Sequence, residues 1–370
     1  MLRRVQQLHF ADAGKRDAEW RHDGHMPRTV GILLLQLGGP ENLEAVAPFL
    51  RNLFSDHDLI PLPGGPVGQR MLAWLIAALR APRVRGYYRR IGGGSPLRRI
   101  TELQGRNLEA ELERRARARG ESRHFPVAVA MRSWHPFTDE ALDRLADAEA
   151  LVALPLFPPF SAATTGSSLK ELERVRGRRG DRRPLAVIEH WHDDPGYLDA
   201  LASRVRQAVG RLSPAGREQA LILWTAHGLP QSFVERGDPY VGHIEATMAG
   251  AMSRLADLGL PHRLSYQSRT GPLRWTGPGT DEVLREEAAR GRRAVVMVPV
   301  SFVSDHIETL YEIDLLFRER AERFGITEYV RSESFNEGDD LTSVLARLVE
   351  ERMARESGRA GDILPSSPRV

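Results

Sequence analysis

Apolar residues in this chain gather into blocks of about five to seven, separated by stretches where apolar positions return every third or fourth residue. The blocks read as strands at Gly31–Leu37, Val127–Met131, Leu151–Leu156, Leu185–His190, Ala220–Thr225, Arg263–Gln267, Ala294–Val300 and Thr327–Ser332. The longer periodicity predicts helices, among them Thr101–Arg117, Asp139–Asp147, Pro195–Leu212, Ile244–Leu258 and Leu341–Ala354. Strands that alternate with helices make parallel sheets with crossover helices, an α/β fold. A polar break across R-V-R-G-R-R-G-D-R-R, Arg174–Arg183, reads as a solvated loop and divides the pattern. The expectation is two Rossmann-like doubly wound domains with a cleft between them. The first spans 29–175 and the second 184–337, with a C-terminal helix at 338–356 after them.

The predicted strands end in polar residues. Arg132-Ser133-Trp134-His135 follows the second, Thr164–Ser168 lies beyond the third, and His227-Gly228 follows the fifth. Gln267-Ser268-Arg269 ends the sixth. The seventh runs into V-P-V-S-F-V-S-D-H-I-E-T-L-Y-E-I-D, Val298–Asp314, where Ser304, Asp305, His306 and Glu308 follow the apolar run and Glu312 comes one turn later. Open α/β sheets bind ligands at the carboxyl ends of their strands. Asp305-x-x-Glu308 also fits a capping box. On an ideal helix Asp305, Glu308 and Glu312 share one face, while His306 turns away from it unless the first turn is widened to a π-type turn.

Composition removes several classes of chemistry. Cysteine is absent, so thiolate metal sites, cysteine nucleophiles and cysteine-ligated iron–sulfur clusters are excluded; no prosthetic group is expected. Nearly all basic residues are arginine, with lysine only at 15 and 170, and net charge is +3. The arginine runs lack interleaved aromatics, which argues against nucleic acid. No apolar run reaches the ~18 residues that span a bilayer. Residues 1–28 lack the apolar core of a secretory signal and read as a disordered extension, with Met26 an alternative start; 358–370 read as a disordered tail. The expected location is cytoplasmic. A monomer and a homodimer are both compatible with the pattern.

His227 after the fifth strand and Glu308 after the seventh form a pair that can bind a metal, exchange protons, or do both in turn. No G-x-G-x-x-G follows the first strand, where Gly38-Gly39-Pro40 stands instead, and there is no Walker lysine, G-x-S-x-G elbow or H-E-x-x-H helix. A metallohydrolase using Asp305, His306 and Glu308 would want a second ligand motif, and none stands out. Leu37, Met71–Leu79, Tyr87, Tyr88, Trp134, Phe157, Phe160 and Trp275 are candidate walls for a large flat apolar ligand, with arginines for its acidic edges.

Several motifs together resemble the ferrochelatase family. They are L-G-G-P-E-N-L-E-A-V with F-L-R-N-L-F-S-D (Leu37–Val46, Phe49–Asp56), Y-R-R-I-G-G-G-S-P-L (Tyr88–Leu97) and M-R-S-W-H-P-F-T (Met131–Thr138). L-P-L-F-P-P-F-S-A-A-T-T-G-S-S (Leu154–Ser168), T-A-H-G-L-P with R-G-D-P-Y (Thr225–Pro230, Arg236–Tyr240), Y-Q-S-R-T-G-P-L-R-W (Tyr266–Trp275) and Val298–Asp314 complete the set, in order, across about Thr29 to Ala354. The resemblance implies insertion of Fe2+ into protoporphyrin IX, the last step of haem synthesis, and a first domain, 29–175, completed by the C-terminal helix at 338–356. It implies His227 and Glu308 as the metal-insertion pair, with Asp305, His306 and Glu312 extending an acidic metal path. Leu37, Tyr88, Ser95, Arg132, Phe157 and Trp275 fall on porphyrin-pocket positions. Residues 66–80 fall in an apolar lip and are expected to make a peripheral contact with the inner face of the cell membrane.

Four residues depart from the family pattern: Phe157 for tyrosine, Ser133 for an aromatic, Gln36 for asparagine and Thr225 for serine. None touches the proposed pair. A close rival activity uses coproporphyrin; L-G-G-P-E favours protoporphyrin. A non-catalytic porphyrin or haem carrier would be expected to lose the base or the acids, and both are present.

Overall fold

The computed structural model describes Trp20, 26–60, 62–269, Gly271 and 273–358. The extension expected at 1–28 and the tail expected at 358–370 lie outside the described residues, apart from Trp20, 26–28 and Gly358. Trp20 itself is buried against the main core.

Among the described residues eight strands make two four-stranded sheets, every strand pairing parallel. They are β1 (Val30–Gln36), β2 (Val127–Met131), β3 (Ala150–Pro155), β4 (Leu185–Val187), β5 (Leu221–His227), β6 (His262–Gln267), β7 (Ala294–Pro299) and β8 (Glu328–Arg331). Sheet orders are β2-β1-β3-β4 and β6-β5-β7-β8, the same winding twice. The helices of the first half are α1 (Val46–Ser55), α2 (Gly65–Arg90), α3 (Leu97–Ala118), α4 (Thr138–Arg144) and α5 (Ser167–Arg179). Those that follow are α6 (Pro195–Gly210), α7 (Pro214–Gln219), α8 (Gln231–Glu235), α9 (Tyr240–Arg254), α10 (Thr280–Ala289), α11 (Arg318–Phe324) and α12 (Asp339–Glu356). Two π-helical segments, Ala162–Gly166 and Glu308–Phe317, lead into α5 and α11.

The strands are unbroken apolar runs because both sheet faces are covered. Alternate side chains leave opposite faces. In β1, Ile32 and Leu34 enter a core shared by both sheets, while Leu33 and Leu35 pack outward against α4 and α5. In β5, Ile222 and Trp224 face the shared core, and Leu221 and Leu223 pack against α10 and α11.

β4 pairs with β3, Leu151 opposite Leu185, so the strand read just after the polar break lies in the first sheet. The loop expected at Arg174–Arg183 is corrected, since most of that stretch is helical: α5 runs to Arg179 and ends at Gly180, whose φ of 65° suits the left-handed cap. Arg174, Arg178 and Arg179 pair with Glu171, Asp139 and Asp143, while Arg176 is buried beside Asp181. Among the described residues no helix is long and apolar enough to cross a membrane.

Candidate active site

In a sheet wound this way the crevice opens where neighbouring connections leave in opposite directions, between the first and third strands of each half. In the second sheet that places the end of β5 beside the segment after β7. His227, the last residue of β5, meets Glu308 there, with Nδ1 2.9 Å from Oε2. Gln267, at the end of β6, donates from Nε2 to the same carboxylate oxygen at 3.1 Å and accepts at Oε1 from Thr225. The His227 backbone is held from both sides. Its N–H donates to Ser301 Oγ at 2.8 Å, and its carbonyl accepts from Tyr240 Oη at 3.0 Å. Gly228 follows because a Cβ there would lie 2.8 Å from the Gln267 carbonyl. Tyr240 and Ser301 were not among the expected site residues. Their sequence signal was membership of two quoted motifs, Tyr240 in R-G-D-P-Y and Ser301 in Val298–Asp314.

The electrostatics separate the two glutamates. Burial works against the charge of Glu308, but His227, by charge and hydrogen bond, and His306 outweigh it and hold Glu308 below the usual carboxylate range. Burial also opposes the His227 cation; Glu308 and then Glu312 outweigh it and raise the imidazole pKa. Glu312 has no such cation in contact. Burial, followed by the charge of Glu308, pushes it up to about 7. Ser268 Oγ donates to Glu312 Oε2 at 2.7 Å, from a residue whose φ of 60° is unusual outside glycine. Burial and then the charge of Glu308 also raise the Tyr88 hydroxyl pKa.

The acidic segment is not capped as expected. Ile307, not Asp305, precedes the helix, and Thr309 Oγ1 accepts from the His306 N–H. The Asp305 carboxylate instead accepts from Arg331, Ser334 and Asn336 at 2.7–3.0 Å. These bonds lead away from the His227–Glu308 pair. His306 does reach that pair: Nε2 stands 3.7 Å from Glu308 Oε1, and its Nδ1 lies 3.0 Å from the Ser304 carbonyl. The helix that follows is π-wound over Glu308–Phe317, the widening that ideal α geometry lacks.

Of the expected wall, Leu37, Ser95 and Trp275 are partly exposed, whereas Tyr88 and Phe157 are buried. Phe157 meets Phe302 edge-on at 6.2 Å, and Phe302 stands at the same centroid distance from His227. Trp275 lies against Gly228 and pairs with Pro230 through a backbone bridge. Arg132 is held by Asp56 at 2.9 Å and donates from Nε to Ser167 Oγ at 2.8 Å. Ser95 lines a cavity of about 470 Å³ with Arg98, Arg99 and Leu310. Along α2, Val67, Met71, Trp74, Leu75 and Leu79 are exposed.

Comparison with known proteins gives one consistent family. A family model described as ferrochelatase matches residues 29–353. A ferrochelatase of Geotalea uraniireducens is 42% identical over 333 residues, covering 90% of this chain and all of that protein. A ferrochelatase of Synechococcus sp. strain CC9311 is 46% identical over 328 residues, covering 86% of this chain and 82% of that one. Among solved structures, SirB from Bacillus subtilis with Fe3+ superposes with a TM-score of 0.49 at 14% identity, over 68% of this chain and 90% of that one.

Proposed function

This chain belongs to the ferrochelatase family, and on that premise we propose that its substrate is protoporphyrin IX and that His227 and Glu308 carry the insertion. The coarser activity follows from the family itself: the enzyme inserts ferrous iron into a porphyrin. Metallation forms four iron–nitrogen bonds and releases two pyrrole protons. The chain must therefore supply ligands that exchange with those of hydrated iron, and a base on the ring face.

The single observation that carries the assignment is the 2.9 Å contact between His227 Nδ1 and Glu308 Oε2 at the switch point of the second sheet. With its Nδ1 proton donated to Glu308, His227 keeps the Nε2 lone pair for a pyrrole proton or for iron. The neighbouring carboxylates make that nitrogen more basic than in free histidine. Glu308 stays charged and serves as an oxygen ligand or counter-ion. Glu312, near 7, can accept a proton at neutral pH and release it again. His306 extends the donor set on the side of Glu308 Oε1. Asp305 is proposed to hold the turn through Arg331, with a lesser part in metal movement than the sequence suggested.

The porphyrin is proposed to lie against Leu37, Tyr88, Ser95, Arg132, Phe157 and Trp275, the buried Phe157 acting through its contact with Phe302. The exposed apolar side chains of α2 are proposed to rest on a membrane surface, from which an apolar porphyrin can be drawn. Proposed domain limits follow the sheets, with α12 closing the first half.

Anaerobic absorbance assays with Fe2+ and either protoporphyrin IX or coproporphyrin III test the substrate. Metallation of coproporphyrin alone would overturn the protoporphyrin assignment. His227→Ala is expected to lower turnover by at least about 100-fold, while porphyrin fluorescence quenching on binding persists. Turnover within a factor of about two of wild type would remove His227 from the mechanism.

A further inference from the structure

Three histidines meet at a place the insertion chemistry does not use. His190 and His192 stand in an H-x-H spacing just after β4, and His243 lies in α9. One nitrogen of each lies within 4.8 Å of the others. The His192 and His243 rings stack at 3.7 Å and 7°, and His190 is 5.0 and 4.8 Å from them, centroid to centroid. His192 is 6% exposed, and its Nδ1 is buried with no hydrogen-bond partner. The Asp193 carboxylate stands 3.8 Å from that nitrogen.

A buried imidazole nitrogen without a partner is unfavourable and asks for a ligand. A hydrophobic role would suit one histidine better than three gathered together. We propose that His190, His192 and His243, with Asp193 at the edge, form a second site for a divalent transition ion, separate from the His227–Glu308 pair. Imidazole donors of this number suit Zn2+, Co2+ or Ni2+ rather than Mg2+ or Ca2+.

The electrostatics agree with this. Burial, then the charges His192 and His190 would carry, push the His243 pKa down to about 4. Burial lowers that of His192 as well. Both shifts favour the neutral imidazoles of His192 and His243, the form that binds metal. Binding asks for two local changes. Stacked rings carry their lone pairs side by side, so rotation about χ2 must bring them to one point. The His243 Nδ1 lone pair now accepts from the Phe160 N–H at 3.1 Å, and an ion bound at Nδ1 would release that donor to water. His190 is exposed and can swing without disturbing the core.

The site adjoins the insertion pair. His243 follows Tyr240 by one turn of α9, and Tyr240 holds the His227 carbonyl.

The test uses the full chain without porphyrin, titrated with Co2+ and followed by its visible d–d absorption and by calorimetry. His227→Ala/Glu308→Gln removes the insertion pair, and His190→Ala/His243→Gln removes the triad while keeping both sheets' cores intact. Wild type should bind two equivalents and each double variant one, and Zn2+ should displace the triad's Co2+ band. If the triad variant keeps the wild-type stoichiometry and spectrum, the proposal is overturned. If the insertion-pair variant binds no ion although its circular dichroism is unchanged, the proposal is overturned as well. Neither result bears on metallation by His227, which the porphyrin assay reads separately.

Discussion

At the scale of single residues, Glu308 and Glu312 are one turn apart and differ in charge state for a local reason. Glu308 touches His227, and Glu312 touches a serine hydroxyl. The raised pKa of Glu312 has a consequence for stability with a definite sign. Its folded value, about 7, exceeds the ordinary 4.5, so between those values the folded chain holds a proton that the unfolded chain has released. Stability from this group is present below about 4.5 and lost as pH rises to about 7. The raised pKa of His227 adds a loss of the same sign above its ordinary value of 6.5. Glu312→Gln should therefore gain stability relative to wild type on going from about pH 5 to about pH 8, by no more than about 3 kcal/mol. Urea denaturation at the two pH values measures it, and a difference that does not change with pH would contradict the assigned proton. In the sequence His227 and Glu308 could be seen as a pair, because strand ends and residue types are local facts, whereas ideal helix geometry turned His306 away from Glu308. The bonds of Asp305 could not be seen. They run to Arg331, Ser334 and Asn336, more than twenty residues on, and nothing in the spacing of an apparent capping box announces such partners.

At the scale of elements, α2 shows where pattern reading stops. Of its 26 residues, the stretch Met71–Leu79 is apolar at every position. Ala73, Ala77, Ala81 and Tyr88 pack on α1, while Trp74 remains 61% and Leu79 72% exposed. An apolar run that is not all buried gives no clean period, so the sequence marked it as an apolar segment without its limits. β4 was drawn too long for the opposite reason. Leu185–His190 is apolar enough for a strand, but Ile188 makes the last backbone bond to β3 and the chain then turns into the histidine loop. If the exposed face of α2 rests on lipid, Trp74→Ser with Leu79→Ser should weaken binding to liposomes by at least about 100-fold, from about 1.5–3 kcal/mol for each fully buried apolar side chain. Co-sedimentation reads this. Thermal stability should move little, because both side chains are already in water. Equal sedimentation of variant and wild type would remove the lipid contact.

At the scale of the whole molecule, the two sheets share one core rather than standing as two independent bodies. Ile32 and Leu34 of β1, Leu108 and Leu112 of α3, Ile222 and Trp224 of β5, and Leu345 and Val349 of α12 belong to a single buried cluster. α12 joins the halves at its surface too. Glu350 accepts from Arg115 of α3 at 3.1 Å and from Arg119 beyond it at 2.6 Å, and Asp340 and Arg347 pair with Arg204 and Asp194 at α6. Sequence periodicity located α12 but could not say that it faces both halves, since a helix stripe carries no record of which surface it meets. The shared core predicts that the halves unfold together. Val349→Asp would bury a carboxylate at a position with no exposure and should cost at least about 3 kcal/mol. The lower midpoint should appear at the same denaturant concentration by near-UV and far-UV circular dichroism. Two separated transitions would mean that each sheet carries its own stability. The cleft between them would then be a hinge, and the distance between the first-sheet wall and His227 would vary. A single transition instead ties that distance to the core, as the porphyrin site proposed between that wall and the His227–Glu308 pair requires.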